Sequence, residues 1–145
     1  MLEIPLLRLD ADLLTPSYAR LGDAGCDLVA RVDTLLAPGG GRATIATGVA
    51  LEIPDGYAGL VLARSGLAAN HGIACLNAPG LIDPGYRGEV AVILVNTDPV
   101  APYEVHRGDR IAQLVICRVE KARFLVVDHL ETSERGAEGF GHSGR

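Results

Sequence analysis

Asp83 and Tyr86 stand three residues apart in the stretch Asn77-Ala-Pro-Gly-Leu-Ile-Asp-Pro-Gly-Tyr-Arg-Gly-Glu-Val90. Pro79-Gly80 and Pro84-Gly85 are turn dipeptides, since proline fixes φ and glycine accepts the positive φ of tight turns. The spacing predicts a β-hairpin that doubles back twice within fourteen residues and brings the Asp83 carboxylate close to the Tyr86 ring. Exposed backbone amides, one acid and one aromatic ring suit a pocket for a small ligand. The same Asp-Pro-Gly also suits a plain hairpin in which Asp83 satisfies only the amides of its own turn.

Four other stretches carry polar groups that bear on a ligand. Asp23-Ala-Gly-Cys-Asp-Leu28 sets two carboxylates around a glycine turn, which solvated turn acids also do. Ala63-Arg-Ser-Gly66 falls where a strand passes into a short helix. Free N–H groups and the helix dipole at such a junction, with an arginine just before it, favour an anion. Gly108-Asp-Arg-Ile-Ala-Gln-Leu114 puts the amide of Gln113 inside an apolar strand, where it needs a structural partner or points into a pocket. The Asp109-Arg110 pair is expected to brace the turn before it. From Glu131 the character changes: Glu131 to Arg145 holds four glycines and one large apolar residue, too little to fold alone. It is either a frayed terminus or a lid in which Arg135 brings charge, Phe140 a stacking face and Ser143 a hydroxyl.

The elements that must hold these groups read as β almost throughout. Glu3 to Leu9 predicts a strand interrupted by Pro5 and hence at a sheet edge. Cys26 to Ala30, Ala43 to Ile53, Tyr57 to Ala63, Arg110 to Cys117 and Phe124 to Val127 follow as strands, rich in β-branched residues. Only Ser65 to Gly72 reads as helical, with Ser65 as N-cap and Gly72 as the stop. Glu89 to Asn96 is apolar at nearly every position, which predicts a strand covered on both faces, one cover being available from a second subunit. Short strands separated by Gly/Pro turns imply an all-β fold, a sandwich or barrel. The boundaries are a β domain over residues 1–130 and a flexible Gly-rich arm over 131–145.

The 145-residue chain suits one domain with a real core. Its net charge of −5 argues against a nucleic-acid-binding surface, which usually carries a basic excess. Cys26, Cys75 and Cys117 are odd in number and lack Cys-x-x-Cys spacing, so free thiols are expected rather than disulfides or a zinc site. No basic segment leads into a long apolar run at the N-terminus, and no apolar stretch reaches the ~18 residues of a membrane helix. A cytoplasmic protein without a membrane partner is the expectation.

Taken in order, the five stretches resemble the motifs of the trimeric all-β deoxyuridine triphosphatases. The matching segments are Asp-Ala-Gly-x-Asp-Leu at 23–28, Arg-Ser-Gly at 64–66 and Gly-x-Ile-Asp-x-x-Tyr-Arg-Gly at 80–88. Gly-Asp-Arg-Ile-Ala-Gln-Leu at 108–114 and Arg-Gly…Gly-Phe-Gly…Ser-Gly at 135–144 complete the set. Ala63, Cys26, Glu138 and His142 depart from the family pattern without removing a group the chemistry needs.

The resemblance implies a distorted jelly-roll and hydrolysis of dUTP to dUMP and pyrophosphate, which lowers dUTP and supplies dUMP for thymidylate synthesis. It implies Asp83 as general base toward water attacking the α-phosphorus, and Tyr86 beneath the deoxyribose. Asn77, Gly80, Leu81, Ile82 and Ala91 would read uracil. Arg64, Ser65, Gly66 and Gln113 would hold the phosphates. Arg135, Phe140, Gly141 and Ser143 would close the site from the arm. Mg²⁺ would be carried mainly by the phosphates, with Asp27 reaching it through water, in a homotrimer whose subunits share each site. The related dCTP deaminases, and a nucleotide-binding protein without turnover on the same scaffold, are the alternatives.

Overall fold

The computed structural model describes residues 2–137. In chain order its elements are β1 (Leu6–Arg8), β2 (Cys26–Val29), β3 (Thr34–Leu36), β4 (Arg42–Leu51), β5 (Tyr57–Leu62), α1 (Ser65–His71), β6 (Ile73–Cys75), β7 (Gly80–Ile82), β8 (Glu89–Asn96), β9 (Tyr103–Val105) and β10 (Arg110–Arg118). Two four-stranded antiparallel sheets, ordered β1-β4-β8-β6 and β2-β10-β5-β7, and a ribbon of β3 with β9 make up the all-β, jelly-roll-like fold. The core includes Leu28, Ile45, Ile53, Ile73, Val90, Val92, Leu94, Ile111 and Leu114, drawn from both sheets. Pro5 precedes a strand that pairs only with β4, the edge position its missing N–H demands.

Several sequence expectations change in the folded chain. The doubled-back stretch is not a hairpin: β7 pairs with β5, whereas β8 lies between β4 and β6 in the other sheet. Gly80 and Ile82 face the core from one sheet and Val90, Val92 and Leu94 from the other, so the connection between them turns an inter-sheet corner. Of β8, Val90, Val92, Leu94 and Asn96 are buried, while Ala91 is exposed and Ile93 and Val95 are half-buried; the described residues cover only one face fully. The helix starts and stops as predicted, with Gly72 left-handed at its end, but its N-cap is Arg64. The extended backbone of β5 runs on through Arg64, so Ser65 is already helical and its hydroxyl does not cap the first turn. Phe124 to Val127 forms no strand, because no described edge pairs with it. Phe124, Leu125, Val126 and Leu130 stand at least 71% exposed.

Candidate active site

At the inter-sheet corner, Asp83 to Tyr86 forms a turn in which the Tyr86 amide donates to the Asp83 carbonyl at 3.1 Å. Proline at the second position fixes the φ that this turn needs. Its two functional side chains line one cavity of about 240 Å³, shared with Leu81, Ile82, Ala91, Val90, Thr44 and Ile93. The apolar wall comes from β7 and the outer face of β8, and the Asp83 carboxylate stands exposed.

Tyr86 is held from three directions. Its backbone closes the turn, its hydroxyl donates to the Glu89 carbonyl at 2.9 Å, and its ring passes over Gly88. A Cβ at residue 88 would collide with Tyr86 Oη and sit 2.6 Å from Cζ, so only glycine admits the ring there.

A second cleft, of about 250 Å³, is lined by Arg64, Ser65, Gly66, Leu67, Asn70, His71 and Gln113. Arg64 supplies its positive charge; with seven residues, α1 adds little macrodipole. The guanidinium is braced from behind, with Nη1 donating to the Arg110 carbonyl at 3.1 Å and Nε 3.2 Å from Asp27 Oδ1. Arg110 donates to Asp27 Oδ2 at 3.4 Å. It therefore ties β10 to β2 rather than pairing with Asp109, whose carboxylate accepts the His106 amide instead and so still closes the turn. Gln113 borders this cleft half-buried, which answers why an amide sits in an apolar strand.

The predicted residues thus fall into two groups. Asp83, Tyr86, Leu81, Ile82 and Ala91 meet at one cavity, and Arg64, Ser65, Gly66 and Gln113 at the other. No lining residue is common to the two. Gly80 is buried beneath the first, in contact with the Asn77 side chain, and neither lines it. Arg135 lies in the exposed segment after β10, while Phe140, Gly141 and Ser143 fall outside the described residues, as do Glu138 and His142. Asn70, His71, Thr44 and Ile93 escaped the sequence reading. Asn70 and His71 could have been placed from the helical turn that follows Arg64-Ser65-Gly66.

Among the described residues, no three His, Cys, Asp or Glu side chains gather as a metal cluster. Asp27 Oδ1 is buried behind Arg64 of the second cleft, 3.2 Å from its Nε but without a well-aligned hydrogen bond. The guanidiniums of Arg64 and Arg110, at 3.2 and 3.4 Å, already balance the Asp27 charge, so a divalent ion brought by an anionic ligand would reach this carboxylate only through water. Cys26, Cys75 and Cys117 are free thiols, as expected, and burial pushes Cys26 and Cys75 above the ordinary thiol range.

The family model for dUTPase matches residues 11–144. A deoxyuridine 5'-triphosphate nucleotidohydrolase of Thermobifida fusca is 58% identical over 141 residues, covering 97% of this chain and 78% of its own. That of Nocardia farcinica is 50% identical, covering 97% and 85%. Among solved structures, a mutant dUTPase of Staphylococcus bacteriophage 80alpha with dUpNHpp matches with a TM-score of 0.90 at 28% identity, over 99% of both chains. A mutant dUTPase from phage phi11 of S. aureus, described with a structural Mg(II) ion, matches at a TM-score of 0.82 and 25% identity, over 90% and 99%. Sequence and architecture agree on one class, the nucleotide hydrolases built on an all-β scaffold. The chain belongs to the dUTPase family.

Proposed function

We propose that this protein hydrolyses dUTP to dUMP and pyrophosphate by water attack on the α-phosphorus. The observation that carries the reading is the meeting of Asp83, Tyr86, Leu81, Ile82 and Ala91 at one cavity of about 240 Å³. Asp83 is the general base: an exposed carboxylate at the cavity reaches a water, orients it and takes its proton, worth ~10²–10⁴ in rate. Tyr86 lies flat under the deoxyribose and leaves no room for a 2′-hydroxyl. The backbone at Leu81, Ile82 and Ala91 reads the edge of uracil, where a thymine methyl has no space and a cytosine amine no partner. Asn77 and Gly80, which do not line the cavity, would join them only once nucleotide is bound.

Arg64, Ser65, Gly66 and Gln113 hold the phosphate chain. Ser65, relieved of capping, is free to donate to a phosphate oxygen. Arg135 and Ser143 clamp the γ-phosphate while Phe140 stacks on uracil beside Gly141. Mg²⁺ would be carried mainly by the phosphates, with Asp27 reaching it through water; the supporting feature is the place of Asp27 beside Arg64, which lines the phosphate cleft. Mg²⁺, when bound, neutralises charge on the phosphates.

The working unit is a homotrimer in which subunits share each site. A nucleoside cavity and a phosphate cleft without a common residue support sharing, as do the open face of β8 and the uncovered apolar run from Phe124 to Leu130. The test is pyrophosphate release with Mg²⁺ from dUTP, dTTP, dCTP and UTP. Release from dUTP with little from the others is the expected result. Ammonia release from dCTP marks a deaminase instead, and tight analogue binding without pyrophosphate marks a protein that binds nucleotide without turnover.

A further inference from the structure

Glu89, the first residue of β8, carries the carbonyl that receives the Tyr86 hydroxyl. What holds Glu89 lies on other elements. Its carboxylate accepts the Gly48 N–H at 2.8 Å, and both its oxygens lie 3.2 Å from Nη1 of Arg31. Gly48 sits where the pairing of β4 with β8 slips between Ala46 and Ala50, a bulge with φ of +76°. That bulge turns the amide of residue 48 out of the ladder and onto the Glu89 side chain.

Arg31 is itself fixed. Its Nε pairs with Asp10 at 3.3 Å, its Nη2 donates to the Leu9 carbonyl, and its backbone amide donates to Ala46. Arg107 closes the set, donating to both Asp10 oxygens at 2.7 and 2.9 Å and to the Arg31 carbonyl at 2.8 Å. The β1 end, the β2 end, the β4 bulge and the turn before β10 thus converge on the residue that anchors Tyr86. Arg31, Asp10 and Glu89 are all partly shielded from solvent, at 34%, 16% and 26% side-chain exposure.

We propose that Arg31 is a positioning residue for sugar discrimination: its ion pair with Glu89 holds the carbonyl that fixes the Tyr86 ring, and with it the wall that rejects a 2′-hydroxyl. The inference rests on the proposed seat of the deoxyribose on Tyr86. Loosening Glu89 lets the ring tilt, which admits UTP more than it harms dUTP. A structural role alone lowers both substrates by a common factor.

The experiment measures kcat and KM of pyrophosphate release from dUTP and from UTP in the full chain with Mg²⁺, for wild type, Arg31→Met, Arg31→Lys and Glu89→Gln. In Arg31→Met the ratio of kcat/KM for dUTP over UTP is expected to fall about 10-fold, within what misplacement by a remote residue costs. Arg31→Lys keeps the charge but not the fork that spans Asp10 and Glu89, and restores the ratio in part. Glu89→Gln keeps an acceptor for Gly48 and loses the ion pair, so it shifts the ratio in the same direction and serves if Arg31→Met does not fold. An unchanged ratio in both Arg31→Met and Glu89→Gln overturns the inference, as does an equal loss on both substrates. A wild type that does not prefer dUTP to UTP overturns the functional reading itself, which is a separate result.

Discussion

Asp83 and Gly88 fail in different ways when changed, which makes them separable at the residue scale. Asp83→Asn keeps the shape of an exposed turn residue and removes only the proton acceptor. Nucleotide binding is expected to persist while kcat falls by ~10²–10⁴, the usual worth of a general base. Calorimetry with a non-hydrolysable analogue beside a pyrophosphate assay checks both halves, and unaltered turnover would exclude the assigned role. Gly88→Ala acts through sterics instead. The new methyl overlaps the Tyr86 phenol, so the ring must leave its place. Tyr86 is 46% exposed, so its ring can swing toward solvent at a stability cost of about 1 kcal/mol, the low end for a forced fit. The expected outcome is a melting temperature within a few degrees of wild type and a clear loss in kcat/KM for dUTP. Retention of full activity would mean that ring placement does not matter.

At the scale of elements, the joint between β1, β2 and the turn before β10 depends on charge. Arg107 beside Asp10 holds the Asp10 carboxyl well below its usual range, with Asp12's amide and Arg31 adding to the effect. A carboxylate whose folded pKa is depressed stabilises the fold above its unfolded pKa and loses that contribution as pH falls through the unfolded value toward the folded one. Asp10→Asn is therefore expected to lower the urea midpoint at pH 7. The gap to wild type should narrow steadily below about pH 4, where the unfolded aspartate takes up its proton. A gap that stays constant with pH would show that packing, not charge, is what the substitution removes.

This joint also marks the limit of what the sequence discloses. The long strands β4, β5, β8 and β10 and the helix were legible because runs of β-branched residues and a glycine stop are local signals. The strands β3, β6 and β9, three residues each, are too short for any period to register. Arg31, Asp10 and Arg107 carry no motif, and their partnership exists only because the two sheets bring residues 10, 31, 89 and 107 together. Asp83 and Tyr86 were legible as neighbours, yet the corner they occupy was not. Turn residues specify that the chain reverses, whereas which strands then pair is decided by core contacts far along the chain.

For the whole molecule, the decisive feature is where burial stops. Among the described residues the main hydrophobic cluster lies between Cys26 and Leu114, only Leu13 being buried outside that span, and residues 119–137 are all exposed. A run such as Phe124-Leu-Val-Val127 gains about 1.5–3 kcal/mol for each large side chain that a second copy covers. Assembly of that kind makes the melting temperature rise with protein concentration. Sedimentation is expected to give the mass of three chains, and a monomer at micromolar concentration would sink the shared-site scheme. Deleting residues 134–145 tests the arm against the same background. The deletion removes no described core side chain and leaves the run at 124–130 intact, so the truncated protein is expected to fold and to keep the wild-type mass. Its kcat/KM for dUTP should nonetheless drop severely if, as proposed, Arg135 and Ser143 clamp the γ-phosphate and Phe140 stacks on the base. A truncated protein of full activity would show that residues 134–145 take no part in the reaction, and the phosphate cleft at Arg64 would then have to hold the triphosphate without them.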